Sequence, residues 1–336
     1  MGKVAVYGIG NPLIDVLMKV EDHELEKLGL NKGTMQLIDN ERGAEILEFF
    51  KDRDKSYAPG GACPNTMVTL ASLGVPTALS GVVGNDELAD IYGERLRERG
   101  VESELTVEVG ETGTSIVLVS ADQERTMCTR LGVCPQFSPE RVVGERVAQA
   151  HYLYFTGYMW DTPSQKNALL SAIATARENN TQVVFDVADP FAVERHRDDF
   201  LELVADHVDV VLANRDEAHI LMGYDDPRRA VVELAEKAGV AAVKDGSQGS
   251  YIASHDGERA AIPGFEARAV DTTGAGDTYA AGILYGLEKS ASLGEAGRIA
   301  SFIAARIVEK PGAQFTMAEA RNITSALEQQ SWTVSV

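Results

Sequence analysis

Apolar and polar residues fall into blocks along this chain, and the block lengths predict its elements. Residues 3–10 (KVAVYGIG) form a short β-branched run ended by glycine, which predicts a buried strand. To about residue 58 the pattern is less regular. DVLMKV (15–20) and TMQLID (34–39) predict short strands, and NERGAEILEFFKD (40–52) puts Ile46, Leu47, Phe49 and Phe50 on one helical side. A helix is predicted over 65–73, closing on Gly74, then a strand in TALSGVVG (77–84), then a helix over 86–100 closing on Gly100. Residues 101–130 alternate as strands do, in ESELTVEVG, TSIVLVSA and RTMCTR, with no helix between them.

After residue 138 strands and helices take turns. AHYLYFTG (150–157), QVVFDV (182–187), VDVVLAN (208–214), VAAVKDG (240–246) and GSYIAS (249–254) predict strands. SQKNALLSAIATARENN (164–180), FLELVADH (200–207), RDEAHILMG (215–223) and PRRAVVELAEKAG (227–239) predict helices, and residues 274–290 and 297–310 predict two long apolar ones. This is the βαβ rhythm of a parallel sheet covered on both faces. The predicted fold is α/β: a single domain over residues 1–336 with a doubly wound, mainly parallel sheet. A small β-rich lobe from about 10–58 and 100–130 would form a lid over a cleft.

Composition narrows the function. With 336 residues, 44% hydrophobic and 24% charged, the chain can bury a large core. No apolar run reaches the roughly 20 residues a bilayer needs, and the N-terminus lacks the layout of a cleavable signal, so a cytoplasmic protein without membrane association is expected. Cys63, Cys128 and Cys134 are expected to be free thiols. A net charge of −20 argues against nucleic acid as a partner, because displacing counterions needs Lys and Arg. Any anion would be held by backbone amides and a metal ion and not by a basic patch.

The most informative stretch is DTTGAGDT, Asp271 to Thr278, which opens an apolar helix. Gly274, Ala275 and Gly276 have little or no side chain, so their amides can converge at a helix N-terminus, where an anion is favoured. Asp277 follows at once. A carboxylate beside an anion site is repelled by the anion unless it has work to do, such as accepting the proton of an attacking hydroxyl. Helix capping by Asp and Thr is the alternative.

DTTGAGD resembles the C-terminal signature of the ribokinase-like (PfkB) carbohydrate kinases. PGGACPN resembles their other signature, with Gly60, Gly61 and Asn65. SGVVGNDELADIYG, ANRDE and VKDGSQGSYI resemble further elements in the same order over nearly the whole chain. The resemblance implies an ATP-dependent phosphotransferase acting on a small sugar or nucleoside, as a monomer or homodimer. It implies Asp277 as the catalytic base and Gly274, Ala275 and Gly276 as the anion hole. Gly60, Gly61 and Asn65 would hold the acceptor. Asn214, Lys244, Gly246, Gly249 and Thr272 would line the ATP, and Asn214 and Glu217 would organise Mg2+ through water. It leaves open a monovalent cation such as K+ near the DTTGAGD loop. Read by itself, the Asn214–Glu217 spacing is also that of a helix capping box.

GNPLID, PGGACPNT and ERTMCTRLGVC resemble the adenosine kinase branch of the family. Asn11 and Asp15 fall where the first strand ends, and a carboxylate there can accept two hydrogen bonds from a ribose diol. Phe155, Tyr158, Trp160 and Phe191 follow strand ends and offer rings for a purine, although core packing explains aromatic residues equally well. Arg195, His196 and Arg197 suggest an acidic sugar instead, so a sugar or sugar-acid kinase stands as the alternative acceptor reading, and a sensor without turnover as a more remote one.

Overall fold

The computed structural model describes residues 3–122, 124–329 and 332. The strands, in chain order, are β1 (Val6–Ile9), β2 (Leu13–Lys19), β3 (Met35–Leu37), β4 (Ser56–Gly60), β5 (Thr77–Gly84), β6 (Glu102–Glu108) and β7 (Gly113–Val119). They continue as β8 (Arg125–Arg130), β9 (Tyr152–Thr156), β10 (Gln182–Asp186), β11 (Val210–Asn214), β12 (Val240–Lys244), β13 (Gly249–Ser254) and β14 (Arg259–Pro263). Nine of them build one sheet in the order β14-β13-β12-β11-β10-β9-β1-β5-β6. It is parallel from β12 to β6, and β13 and β14 add an antiparallel edge.

Strand periodicity divides the core. On β10, Val183 and Phe185 face one side with helices Pro163–Glu178, Pro190–His207 and Pro227–Ala238. Val184 faces the other with helices Ala62–Ser72, Glu87–Glu98 and Ala275–Glu288. A strand buried on both faces reads as an unbroken apolar run, as VVF does here. The chain moves from β1 to β5 on one side and later returns to β9 on the other. Its topological switch therefore lies at the carboxyl end of β1, where open α/β sheets leave a crevice.

The remaining five strands form a second sheet, β3-β8-β7-β2-β4. Val16, Met18, Ile116, Leu118 and Cys128 point to one of its faces and pack on Leu25 and Ile46 from helices Asp22–Lys27 and Asn40–Phe49, and on Phe50, which caps the second of them. The boundary of this lobe differs from the expected one. Residues 102–108 pair in parallel with β5, from Glu102 opposite Ala78 to Glu108 opposite Gly84, so β6 is an edge of the main sheet. The small sheet's second segment starts at Gly113, and its first runs on to Gly60 through β4. Alternation marks a half-exposed strand but does not say which sheet it joins.

Other boundaries shift for local reasons. The helix expected at 65 begins at Ala62, because Pro64 lies in the first turn, where its missing N–H costs nothing. The helix expected at 200 begins at Pro190 and breaks at His196. Cys63, Cys128 and Cys134 are buried free thiols. Among the described residues no helix is long and apolar enough to cross a membrane.

Gly249 opens the antiparallel edge with φ +105°, and a Cβ there would collide with the Ile262 carbonyl oxygen. Gly249→Ala is therefore expected to lower stability by about 2–4 kcal/mol, measured by urea unfolding. An unchanged midpoint would mean this glycine is not needed by the hairpin.

Candidate active site

The DTTGAGDT loop is held by its own first residue. Asp271 accepts hydrogen bonds from the Thr273 amide at 3.0 Å and the Gly312 amide at 2.6 Å, and forms an ion pair with Arg125 of β8. Gly274 caps helix Ala275–Glu288 at φ +74°, and a Cβ on it would stand 2.6 Å from the Ala313 Cβ. Only glycine fits that conformation and that approach. The Ala275 amide donates to the Thr272 carbonyl at 3.2 Å, so it is turned into the loop. Among the described residues the amides of Gly274, Gly276 and Asp277 make no hydrogen bond. The free donors at this helix start therefore differ in one member from the Gly274–Ala275–Gly276 set read from the sequence, with Asp277 in place of Ala275.

Asp277 stands in the first turn of that helix. Its Oδ2 accepts from Asn65 Nδ2 at 2.9 Å, and its backbone carbonyl accepts from Thr66 Oγ1 at 3.1 Å. Burial pushes its carboxyl up to about 7, against the pull of the Asn65 bond. The Asp186 and Asp15 carboxylates push the same way as burial, and Lys244 pulls against them.

Beneath the helix start lies a buried ion pair. Lys244 Nζ donates to both Asp186 oxygens, at 3.1 and 3.2 Å, and sits 3.5 Å from where a Gly276 Cβ would be. Burial alone would lower the Lys244 pKa, but Asp186, Glu217 and Asp277 together hold it above its ordinary value. Asp186, Asn214 and Lys244 are the last residues of adjacent strands β10, β11 and β12, so the sheet itself lines them up.

Asn214 and Glu217 form the capping box that their spacing allows. The Asn214 amide and Nδ2 donate to Glu217 at 2.7 and 2.6 Å, and the Glu217 amide donates to Asn214 Oδ1 at 2.9 Å. Burial pushes Glu217 up to about 7. Among the described residues no three His, Cys, Asp or Glu side chains converge as a cage for a metal ion. Mg2+ is commonly held by one or two carboxylates, substrate phosphates and water, so this donor set fits an ion carried mainly by phosphate and solvent.

The residues read from the sequence as acceptor candidates come from both sheets. Asp15 on β2 points to the face opposite the small sheet's helices. Burial pushes its carboxyl up to about 7, with Arg125 pulling it down, and no described residue donates a hydrogen bond to it. Gly60 makes room for it: a Cβ there would lie 2.6 Å from Asp15 Oδ2. Gly61 caps helix Ala62–Ser72, and Tyr92 Oη donates to the Gly60 carbonyl at 2.8 Å. Asn11 is buried, with its Oδ1 already accepting from Gln165 Nε2 at 2.6 Å.

Other sequence candidates lie differently. Gly246 begins a short turn open to solvent, Gly249 serves the hairpin, and Thr272 contributes a carbonyl to the loop. Phe155 and Trp160 are core residues, packed on Phe185 and Phe200, and Tyr158 Oη donates to Asp189 at 3.2 Å. Phe191 is exposed. Arg195 and His196 both bind Asp161, and Arg197 donates to the Ile220 carbonyl, so all three already have partners within the protein. Asp186, Gln165, Arg125 and Gln314 were missed. Asp186 carried a readable signal, a lone charge closing an apolar strand; the others had none. A wide depression at the opposite ends of the strands, around His151 and Glu288, shares none of these residues.

Fold and cleft together define a ribokinase-like α/β protein, with a cluster of polar and charged side chains at the carboxyl ends of a parallel sheet. Residues 22–321 match the pfkB family of carbohydrate kinases. A probable sugar kinase from Rhizobium etli has the same fold with a TM-score of 0.89 and 34% identity, covering 97% of this chain and 100% of that one. The adenosine kinase from Sinorhizobium meliloti follows at 0.87 and 35%, covering 96% and 99%. An uncharacterised sugar kinase of Archaeoglobus fulgidus is 32% identical over 250 residues, 73% of this chain and 96% of that protein. The chain belongs to the PfkB family of carbohydrate kinases and is an ATP-dependent kinase.

Asp15, Asp277 and Glu217 all have folded-state pKa values raised to about 7. The stability such groups supply is complete below their unfolded values near 4 and is lost as pH rises through about 7. Asp277→Asn and Asp15→Asn should therefore each raise the melting temperature at pH 8 by about 1–4 °C, with a smaller gain at pH 5, read by calorimetry. An equal gain at both pH values would contradict the raised pKa.

Proposed function

We propose that this kinase phosphorylates the 5′-hydroxyl of adenosine or a close purine nucleoside. The observation that carries the reading is the face of the small sheet that bears Asp15. One register step along, Leu17, Val117, Met127 and Met35 stand side by side on neighbouring strands, on the face opposite the helices. A carboxylate with no donor of its own, followed by an apolar strip, suits a ribose diol attached to a flat, weakly polar base. Similarity to an adenosine kinase over nearly the whole chain supports the same acceptor. The engagement of Arg195, His196 and Arg197 by the protein's own groups speaks against a sugar acid.

In this reading Asp277 takes the proton of the attacking hydroxyl through Oδ1, since Asn65 occupies Oδ2. The free amides of Gly274, Gly276 and Asp277 receive the transferring phosphoryl group, and Lys244 lends its charge from below. Asn65 and the Gly60–Gly61 turn seat the acceptor, and Asn11, held by Gln165, shapes the end of β1. Asn214 and Glu217 would hold Mg2+ through water; when bound with ATP, the ion offsets phosphate charge. The small sheet closes over the acceptor and keeps out water, the competing nucleophile.

Asp277→Asn should keep ATP binding, checked by calorimetric titration, and lose about 10²–10⁴ in kcat. Turnover within tenfold of wild type would remove Asp277 as the base.

Asp15→Ala should lose roughly 10²-fold or more in kcat/KM for adenosine with little change in the KM for ATP, because hydrogen bonds to a charged group contribute about 1.5–3 kcal/mol each. A steady-state comparison of adenosine, ribose, fructose and 2-keto-3-deoxygluconate decides the acceptor. A free sugar with the higher kcat/KM would replace the nucleoside reading with the sugar kinase one.

A further inference from the structure

Residues 312–314 meet three parts of the cleft in succession. The Gly312 amide donates to Asp271, Ala313 packs against Gly274, and the Gln314 side chain reaches β4 and helix Ala62–Ser72. Lys310 Nζ, donating to the Gln314 carbonyl at 2.8 Å, steadies the turn.

Gln314 Nε2 donates to the Pro59 carbonyl oxygen at 3.1 Å and to Asn65 Oδ1 at 3.0 Å. A side-chain amide can turn end for end without changing shape, so its partners decide its orientation. The Pro59 carbonyl can only accept, and it therefore fixes the nitrogen of Gln314 towards β4. Asn65 must then offer Oδ1 to Gln314 and Nδ2 to Asp277. Turned the other way, Asn65 would set an acceptor against a carboxylate and a donor against a donor.

We propose that Gln314 is a positioning residue for phosphoryl transfer: acting through Asn65, it keeps a hydrogen-bond donor on Asp277 Oδ2 and leaves Oδ1 for the acceptor hydroxyl. The inference rests on reading Asp277 as the base. The same nitrogen holds the Pro59 carbonyl beside Gly60, so one side chain sets both the acceptor turn and the direction of the base. Burial is the largest influence on the Asp277 carboxyl. Around it stand the Asn65 amide, the carboxylates of Asp186 and Asp15, the Lys244 ammonium, the Cys63 thiol and the phenols of Tyr154 and Tyr158. Of these, the Asn65 bond and Lys244 favour the ionised form.

The test is a carbon-13 NMR titration of the Asp277 carboxyl in the unliganded protein. Gln314→Leu should move its apparent pKa up by about half a unit to one unit, since a hydrogen bond to the charged form is loosened. In an Asn65→Ala background the same substitution should move it no further. An unmoved titration in the first case, or an equal shift in both, would overturn the proposal. Gln314→Glu keeps the side chain's shape, so it replaces the Leu variant if that folds poorly. Its carboxylate should draw the Asn65 nitrogen away from Asp277 and shift the titration the same way. With ATP and adenosine, Gln314→Leu should lower kcat about tenfold at an unchanged KM for ATP, and an unchanged kcat would also overturn it. Failure of Asp277 as the base is a separate outcome, read from Asp277→Asn. Failure of adenosine as the acceptor leaves the titration to decide.

Discussion

A carboxylate and unpaired backbone amides share one helix N-terminus in this protein, and the groups packed around them set the charge that the carboxylate carries. Asp277 lies in the first turn of helix Ala275–Glu288, beside the unpaired amides of Gly274 and Gly276. Burial, with Asp186 and Asp15 nearby, drives its carboxyl towards neutrality, while the Asn65 hydrogen bond and the Lys244 charge hold it back. In a chain with a net charge of −20, the local positive potential comes from oriented amides and one buried ammonium. Lys244 in turn depends on Asp186, which would be an uncompensated buried charge without it.

The sheet makes this arrangement possible. Its central strands are covered on both faces, so polar side chains can gather only at the strand ends. β10, β11 and β12 finish on Asp186, Asn214 and Lys244 in adjacent positions, and the switch in strand order opens the crevice above them. The small sheet adds what the main sheet lacks, a surface facing that crevice. Asp15 and Arg125 share that face, and the pairing of Arg125 with Asp271 joins it to the loop before the helix.

Local features of the site were legible in the sequence. DTTGAGDT announced a glycine-led helix start with a carboxylate, and the spacing of Asn214 and Glu217 announced a capping box, which is what forms. The apolar run lengths were enough for the parallel sheet and its flanking helices. The aromatic candidates show the limit of the method. Phe155 and Trp160 follow the same strand-end logic as real cleft residues yet pack into the core, because periodicity carries no information on what covers an element. β6 was misplaced for the same reason: its alternation suits either sheet, and pairing with β5 decides between them.

By itself, then, the sequence determined the short-range structure: which runs become strands, where glycine permits a helix to begin, and that a carboxylate stands in the first turn of that helix. These depend on sterics and hydrogen bonds within a few residues of each other. Only the tertiary structure decided which groups surround Asp277. Asn65 is 212 residues away in the chain from Asp277, and Gln314 is 249 from Asn65. Lys244 and Asp186 are 58 apart. Contacts at such separations follow from how layers pack and strands order. No local pattern encodes them, so the orientation of Asn65, the charge beneath the helix and the vacant oxygen of Asp277 became visible only once the chain was folded.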